Sequence, residues 1–250
     1  MNSTTEPRVP RFDKGARFAY PSGGRLPQRG TPPVPGKLNL PPSVRMRLTP
    51  EFERFLEQSH RRIYPPKSVI INAGDMSNDL YYILRGSVSV IIEDENGREI
   101  VLAYLNEGDF FGEIGLFDED HRRSAWVRAR TRCEVAQISY DKLKDLFGGS
   151  CEVLFRIASQ LAIRLRNTSR KVSDLAFLDV SGRVARALLD LCKQPDAMTH
   201  PDGMQVRVTR QELGRIAGCS REMVGRVLKD LEERNLIWAK GKTMVVFGTR

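Results

Sequence analysis

A glycine-rich segment near the middle of the chain has the clearest pattern of residues that could bind an anion. It runs from Gly108 to Phe117, contains the pair Gly112-Glu113, and is followed by Arg123-Ser124-Ala125. Glycines ahead of a short helical turn can present backbone amides to an anion. A nearby arginine adds a bidentate phosphate ligand, and a glutamate can accept from a sugar hydroxyl. Each feature alone is weak evidence, but inside a β-domain they form a specific pattern.

Residues that commonly hold metal ions or act in catalysis are scattered along the chain. No two cysteines form a Cys-x-x-Cys pair, and the histidines are isolated. Scattered thiols are usually small buried hydrophobes in a reducing compartment, and an iron–sulfur sensor needs clustered thiolates. The sequence therefore predicts no metal site and no catalytic site, which counts against a jelly-roll metal enzyme. The residues concerned are Cys133, Cys151, Cys192, Cys219, His60, His121 and His200.

Close to the C-terminus, the residues follow the pattern of a helix-turn-helix. Thr209 and Glu212 form a capping box at the start of a helix that runs to about Ala217. Gly218-Cys219-Ser220 makes a tight turn, and Ser220 caps a second helix. Apolar residues of the second helix point inward and charged ones outward, with the small Gly225 between them. The inward set is Met223, Val224, Val227, Leu228 and Leu231, and the outward set is Arg221, Glu222, Arg226 and Lys229.

The outward face of that second helix is suited to reading DNA bases. Arginine can donate two hydrogen bonds to guanine, and Glu222 can accept one from cytosine N4. Phosphates repel a carboxylate, so Glu222 weighs against the commoner explanation, a solvated charged face. Lys240-Gly241-Lys242, between Leu236–Ala239 and Thr243–Phe247, predicts a wing that contacts phosphates. The DNA-binding candidates are Arg210, Gln211, Ser220, Arg221, Glu222, Arg226 and Lys229.

A long helix is predicted after Gly148-Gly149. Apolar residues there recur at alternating steps of four and three, the heptad seam of a helix that pairs with its own copy. Because the other faces of the helix carry Arg164, Arg166, Arg170 and Lys171, we favour a homodimer over a helix that lies on its own domain. The seam consists of Leu154, Ala158, Leu161, Leu165, Thr168, Val172 and Leu175.

Short strands are predicted between Ser68 and Tyr140. Apolar residues alternate along one of them, as in a half-buried strand, and Asn96-Gly97 ahead of Ile100–Leu105 is a strong hairpin signal. Several strands at this spacing predict a β jelly roll. The alternating residues are Val88, Val90 and Ile92 on one side, with Ser87, Ser89 and Ile91 on the other.

The remaining periodicity defines the predicted domains. A short helix begins near Pro50, with Phe52, Phe55 and Leu56 on one face, and another runs from Asp179 to Lys193. A turn-rich loop from Gln194 to Gly203 and a strand at Gln205–Val208 follow. We predict an α+β chain with a disordered basic tail at 1–48, a β jelly-roll domain at 49–150, a dimerisation helix at 151–178 and a winged helix-turn-helix at 179–250.

The net charge of +9 is concentrated in the predicted tail. Residues 1–48 hold nine basic and two acidic residues, so the rest of the chain is nearly neutral. Global charge is therefore weak evidence for a nucleic-acid partner. The tail either precedes a true start at Met46 or is a basic arm that adds phosphate contacts; we favour a dispensable tail. No apolar run reaches the roughly 20 residues of a membrane span, and no secretory signal is present, so we expect a cytoplasmic protein.

These motifs together resemble the bacterial cyclic-AMP receptor protein (catabolite activator) family, within the wider family of cyclic-nucleotide-binding helix-turn-helix regulators. The resemblance covers about residues 50–250. It is carried by Gly112-Glu113, Arg123 to Arg128, Leu175–Gly182, Lys193–Gln205, Cys219–Arg226 and Phe247 to Arg250. It implies a homodimeric activator, not an enzyme, with cyclic AMP as allosteric effector, TGTGA-type half-sites in palindromic DNA, and RNA polymerase as a partner.

The resemblance also assigns roles to residues. Gly112, Glu113, Arg123 and Ser124 are expected to bind the cyclic phosphate and ribose, and Thr168 and Ser169 of the two chains to meet the adenine. A polar Thr168 on an apolar seam needs a partner, either the ligand base or its own helix backbone. The polymerase contacts implied are Ala197, Thr199, His200 and Gly203 in an exposed turn, and His60 and Lys142 in a second patch. In that second patch Arg62 and Gln137 depart from the family pattern.

Several alternatives remain open from the sequence alone. Cyclic GMP differs from cyclic AMP by only a few polar groups. Relatives that answer to cyclic di-GMP tend to lose the arginine-serine-alanine stretch, which is intact here at Arg123-Ser124-Ala125. A ligand-independent DNA-binding protein with a vestigial pocket is a further possibility. A β-domain that regulates a kinase or channel would need an attached catalytic or membrane domain.

Overall fold

A computed structural model describes residues 49–249 of the chain, apart from residues 77, 119–121 and 148–150. The predicted tail with Met46 lies outside the described residues, as do His121, Gly148-Gly149 and Arg250. No described helix is long and apolar enough to cross a membrane.

Seven helices and twelve strands follow one another in the part of the chain that the structure describes. In order they are α1 (Pro50–Gln58), β1 (His60–Tyr64), β2 (Val69–Ile71), β3 (Asp79–Arg85), β4 (Val88–Glu93), β5 (Glu99–Leu105), β6 (Phe110–Phe111), α2 (Ile114–Phe117), β7 (Trp126–Ala129), β8 (Cys133–Ser139), α3 (Tyr140–Phe147), α4 (Glu152–Phe177), α5 (Val180–Leu191), β9 (Met198–His200), β10 (Gly203–Arg207), α6 (Arg210–Ala217), α7 (Arg221–Glu233), β11 (Ile237–Lys240) and β12 (Thr243–Phe247).

The first eight strands form the predicted jelly roll. Two antiparallel sheets, in the orders β1-β8-β3-β6 and β2-β7-β4-β5, enclose a core that includes Ile83, Val88, Leu105, Val127 and Val135. The hairpin predicted at Asn96-Gly97 is confirmed between β4 and β5, and Gly97 has a φ of 75°. Helix α1 buries Phe52 and Phe55 against the rings of Tyr82 and Phe110, as the apolar face of that helix predicted.

The C-terminal residues form a second core. Strands in the order β11-β12-β10-β9 make one antiparallel sheet, and α5, α6 and α7 pack against it through side chains such as Val184, Leu188, Leu213, Val224 and Leu228. This arrangement is the predicted winged helix-turn-helix.

Helix α4 joins the two cores and leaves most of its seam uncovered. Its buried side chains are Val153 and Ile157, whereas Leu165 is 70% and Val172 61% exposed. Two of the four cationic side chains that counted against packing of this helix on its own domain in fact contact that domain. Arg164 pairs with Glu113, and Lys171 donates to the carbonyl of Val101. Burial of Lys171 lowers the pKa of its ammonium group.

Three elements of the structure were not predicted from the periodicity of the sequence: strand β1, helix α3 and strand β9. Strand β1 has the sequence HRRIY and is mostly exposed, so an edge strand carried no apolar alternation. Helix α3 follows β8 without a breaking residue. The predicted loop from Gln194 to Gly203 contains the three-residue strand β9, paired with β10. The helix predicted to reach Lys193 ends at Leu191.

Two predictions about burial also need correction. Ser89 and Ile91 in β4 are buried, and Ile92 is 38% exposed. The small Ser89 lies opposite Tyr104 and Arg128 of the flanking strands, two long side chains on its own face of the sheet, and its hydroxyl donates to the carbonyl of Arg128. Among the four free cysteines only Cys133 is fully buried, and Cys151 is exposed at the start of α4.

Candidate ligand pocket and nucleic-acid interface

A cavity of about 540 Å³ lies between strand β5, the glycine-rich segment and helix α4. Its volume falls in the range of small-molecule sites. Five of the six predicted ligand residues line it, namely Gly112, Glu113, Arg123, Ser124 and Thr168. Ser169 is exposed on α4 and does not line the cavity within one chain. The sequence-distant residues predicted to act together are therefore close in space.

Arg123 is the buried cation of this cavity, with 6% of its surface exposed. Its guanidinium donates to the carbonyl oxygens of Gly112 at 2.9 Å and Asp79 at 2.7 Å, and to the Tyr140 hydroxyl at 3.1 Å. These contacts hold the planar group at the wall of the cavity. A fixed guanidinium at a cavity wall is suited to a phosphate group, because it can donate two parallel hydrogen bonds.

Glu113 is held by helix α4. The residue is 5% exposed, and its carboxylate accepts from Arg164 Nη1 at 2.8 Å. Arg164 also donates to the carbonyl of Phe110. Asp109 lies nearby, and burial raises the pKa of its carboxyl although Arg164 acts in the opposite direction. The arginine therefore offsets part of the negative charge on this side of the cavity and holds the Glu113 carboxylate in place.

Gln160 makes a second connection from α4 to the glycine-rich segment. Its carbonyl oxygen accepts from the backbone N–H of Phe110, and its amide donates to the carbonyl of Gly108, both at 2.8 Å. The side chain thus satisfies two backbone groups that have no strand neighbour there. Gln160 and Arg164 are one helical turn apart, so a single face of α4 holds the whole segment.

Gly112 is required by the close approach of Arg123. It has a φ of 80°, and a Cβ atom at this position would lie 2.7 Å from Arg123 Nη1 and 3.1 Å from the carbonyl oxygen of Asp79. Any side chain here therefore displaces the guanidinium.

We predict that Gly112→Ala lowers the affinity for cyclic AMP, the ligand expected from the sequence, by at least tenfold in calorimetry. Gly108→Ala is the matched control, because Gly108 has a φ of 93° but open space around its Cβ position. Both variants pay a similar backbone cost of about 1 kcal/mol. Equal loss of affinity in the two variants would contradict a role for the Arg123 contact.

The helix-turn-helix is built as its capping residues predicted. The Thr209 hydroxyl accepts from the Glu212 N–H at 3.0 Å, and the Ser220 hydroxyl accepts from the Met223 N–H at 3.2 Å. Gly218 ends α6 in the left-handed region. One half of the predicted capping box is wrong, because the Glu212 carboxylate instead accepts from the hydroxyl of Tyr104.

All seven predicted DNA-binding residues are exposed around the start of α6 and along α7. The Glu222 N–H and the Ser220 hydroxyl hold the pKa of the Glu222 carboxyl below its usual value. This carboxylate is therefore an ionised acceptor at neutral pH. Lys242, at the wing tip, is also exposed.

The residues proposed for polymerase contact fall into two places. His60 pairs with Gln137 across β1 and β8, and Lys142 follows β8 on α3, so both lie at one end of that sheet. In the hairpin of β9 and β10, Thr199 is exposed and His200 and Ala197 are half-buried. Gly203 is buried, and a Cβ there would lie 2.0 Å from the Val246 carbonyl oxygen. The exposed turn predicted for this loop is therefore wrong at Gly203, whose role is to let the strands approach.

A jelly roll with a buried arginine in its cavity, connected through a long helix to a winged helix-turn-helix, defines a ligand-responsive DNA-binding regulator. Family models agree with both parts: a cyclic nucleotide-binding domain matches residues 61–149, and a Crp-like helix-turn-helix domain matches residues 182–247.

The chain belongs to the CRP family of transcription regulators, which are not enzymes. It is 63% identical over 202 residues to the cAMP-activated global transcriptional regulator Vfr of Pseudomonas aeruginosa, covering 80% of this chain and 94% of that one. It is 60% identical over 201 residues to the CRP of Salmonella typhimurium, covering 80% and 96%. Among solved structures, the c-di-GMP responsive regulator CLP of Xanthomonas campestris has a TM-score of 0.76 and 51% identity, covering 80% of this chain and 99% of CLP.

Proposed function

We propose that this chain is a cyclic-AMP-dependent homodimeric regulator that binds palindromic promoter DNA and contacts RNA polymerase in the cytoplasm. One observation carries the proposal: helix α4 contributes Gln160, Arg164 and Thr168 to the ligand cavity, and the same helix has an uncovered apolar seam. A ligand in the cavity therefore acts directly on the helix through which two chains would pair.

The mechanism is a shift between two arrangements of the dimer. Ligand that contacts both the glycine-rich segment and α4 favours the arrangement in which these are held together. Two recognition helices related by a two-fold axis then enter successive major grooves about 34 Å apart, which requires a palindromic site. Arg123 would take the cyclic phosphate, Glu113 the ribose, and Thr168 with Ser169 of the partner chain the base.

Cyclic di-GMP is a second candidate ligand, because one similar protein of known structure responds to it. CLP is described as responsive to c-di-GMP and is 51% identical to this chain. The intact Arg123-Ser124-Ala125 stretch and the 63% identity to a cAMP-activated relative favour cyclic AMP.

Calorimetry of the full chain with cyclic AMP, cyclic GMP and cyclic di-GMP separates these possibilities. Cyclic AMP is expected to bind most tightly and to raise affinity for a TGTGA-type palindrome. Binding of none of the three, together with tight DNA binding, would leave the ligand-independent alternative.

Replacing Glu222 and replacing Lys242 should affect DNA binding differently: the first should alter base preference, and the second should alter overall affinity. Glu222→Ala is expected to relax base preference at one position by about 1–3 kcal/mol, because it removes a base acceptor. Lys242→Ala should weaken binding to all sequences alike and reduce the slope of log affinity against log salt by about 0.9, because it removes one phosphate contact. Binding to specific and random duplexes, titrated with salt, measures both effects. Equal losses on both duplexes for Glu222→Ala would argue against base reading by α7.

A further inference from the structure

Strand β5 forms a wall shared by the ligand cavity and the winged domain. Leu102, Ala103, Tyr104 and Leu105 line the cavity, while Leu105 belongs to the jelly-roll core. Tyr104 also packs against the core of the winged domain. One short strand therefore contacts both the cavity proposed for the ligand and the domain proposed to bind DNA.

Two polar contacts join β5 to helix α6, the first helix of the helix-turn-helix. The Tyr104 hydroxyl donates to Glu212 Oε1 at 2.7 Å. Arg215 Nη2 lies 2.9 Å from Glu99 Oε2, and Arg128 Nη1 lies 3.0 Å from the other oxygen of the same carboxylate. Glu99 is thus clamped between its own sheet and α6, with only 13% of its side chain exposed.

Neighbouring side chains hold Tyr104 in this position. The Arg130 guanidinium lies 3.8 Å from the centre of the Tyr104 ring and pairs with Asp196 at 3.0 Å. Burial and the nearby Glu212 carboxylate raise the pKa of the Tyr104 hydroxyl, so it stays protonated and remains a donor. Directly after β5, the Asn106 amide donates to Gln194 Oε1 at 3.1 Å, which is a further contact between the β-domain and the C-terminal part of the chain.

We propose that Glu99, Tyr104, Glu212 and Arg215 are positioning residues that fix α6 on β5 and so carry the effect of ligand to the DNA-reading helix. This inference rests on the proposed function. The four residues touch neither the bases nor the cyclic phosphate in that scheme; they set where α6, and with it α7, lies relative to the cavity wall. Ligand that orders β5 would order the surface on which α6 sits.

The test is the coupling factor, which is the DNA affinity at saturating cyclic AMP divided by the affinity without it. Arg215→Gln removes the ion pair with Glu99 and is expected to lower this factor about tenfold, which lies within the usual range of coupling between two sites. Tyr104→Phe removes only the hydroxyl and should lower the factor by about threefold or more. By reciprocity, the gain in cyclic-AMP affinity on adding DNA must fall by the same factor.

Arg234→Gln is the matched control. It removes the same positive charge from the winged domain, but Arg234 is exposed and pairs only loosely with Asp230 at 3.5 Å. The control should keep the wild-type coupling factor.

Three outcomes would overturn the proposal. They are an unchanged factor in Arg215→Gln, equal effects of Arg215→Gln and Arg234→Gln, and a rise in ligand-free DNA affinity when the contact is removed. If the wild-type chain itself shows no coupling, the proposed function fails first, so the two failures are distinguishable.

Discussion

Replacing Arg123 by leucine is expected to abolish cyclic-AMP-dependent DNA binding. The guanidinium is the buried cation of the cavity, and removing one partner of a buried charge pair costs about 2–5 kcal/mol. Affinity for cyclic AMP in calorimetry should therefore fall by roughly 100-fold or more. DNA binding at a ligand concentration that saturates the wild-type protein should then drop to the ligand-free value.

Controls for this variant must separate ligand binding from folding. Leucine removes the Arg123 hydrogen bond to the carbonyl of Asp79, which costs about 1–3 kcal/mol when no water replaces it, whereas the carbonyl of Gly112 still accepts from the Tyr140 hydroxyl. Arg123→Lys keeps the charge and should retain part of the affinity. Arg132→Leu removes an exposed arginine of the same domain and should bind cyclic AMP as the wild type does. Wild-type affinity in a folded Arg123→Leu protein would show that the phosphate lies elsewhere.

The second large effect is expected on the seam of α4. Val172→Glu places a carboxylate on each copy in the C-terminal half of the proposed dimer contact, where Val172 is 61% exposed in the single chain. Like charges buried against each other are strongly unfavourable, so sedimentation should change from dimer to monomer at micromolar concentration. Affinity for a two-half-site palindrome should fall by about 100-fold or more, because each recognition helix then binds on its own.

Ser173→Glu is the control for added charge. Ser173 is exposed and follows Val172 directly but is not part of the apolar seam, so this variant should remain a dimer. A Val172→Glu protein that sediments as a dimer and keeps its affinity for the palindrome would refute the seam as the dimer contact.

Local signals in the sequence were enough to predict the helix-turn-helix of the winged domain. Thr209, Gly218 and Ser220 each act within three or four residues of themselves, so their caps and turn can be recognised without knowing the fold. The same is true of the glycine-rich segment, where the spacing between Gly112 and Arg123 is short and the residue types are distinctive.

Contacts between distant segments could not be predicted in this way. Arg164 meets Glu113 from 51 residues away, and Tyr104 meets Glu212 from 108 residues away. On the sequence Arg164 is one more cation on a helix, and Glu212 is half of a capping box. Only the packing of α4 and α6 on the β-domain gives them other partners, and no periodicity carries that information. Strand β1 was missed for a different reason, because an exposed edge strand needs no apolar face.

Because β5 contacts both the ligand cavity and α6, the β-domain and the winged domain are not independent modules that can be exchanged freely between relatives. A chimera that joins the β-domain of one relative to the winged domain of another would cut between α4 and α5 and leave β5 facing a foreign α6. Glu99 and Tyr104 would then need a basic residue and an acceptor at the positions of Arg215 and Glu212. Module exchange should therefore succeed only when β5 and α6 are transferred as a matched pair, although they belong to different domains.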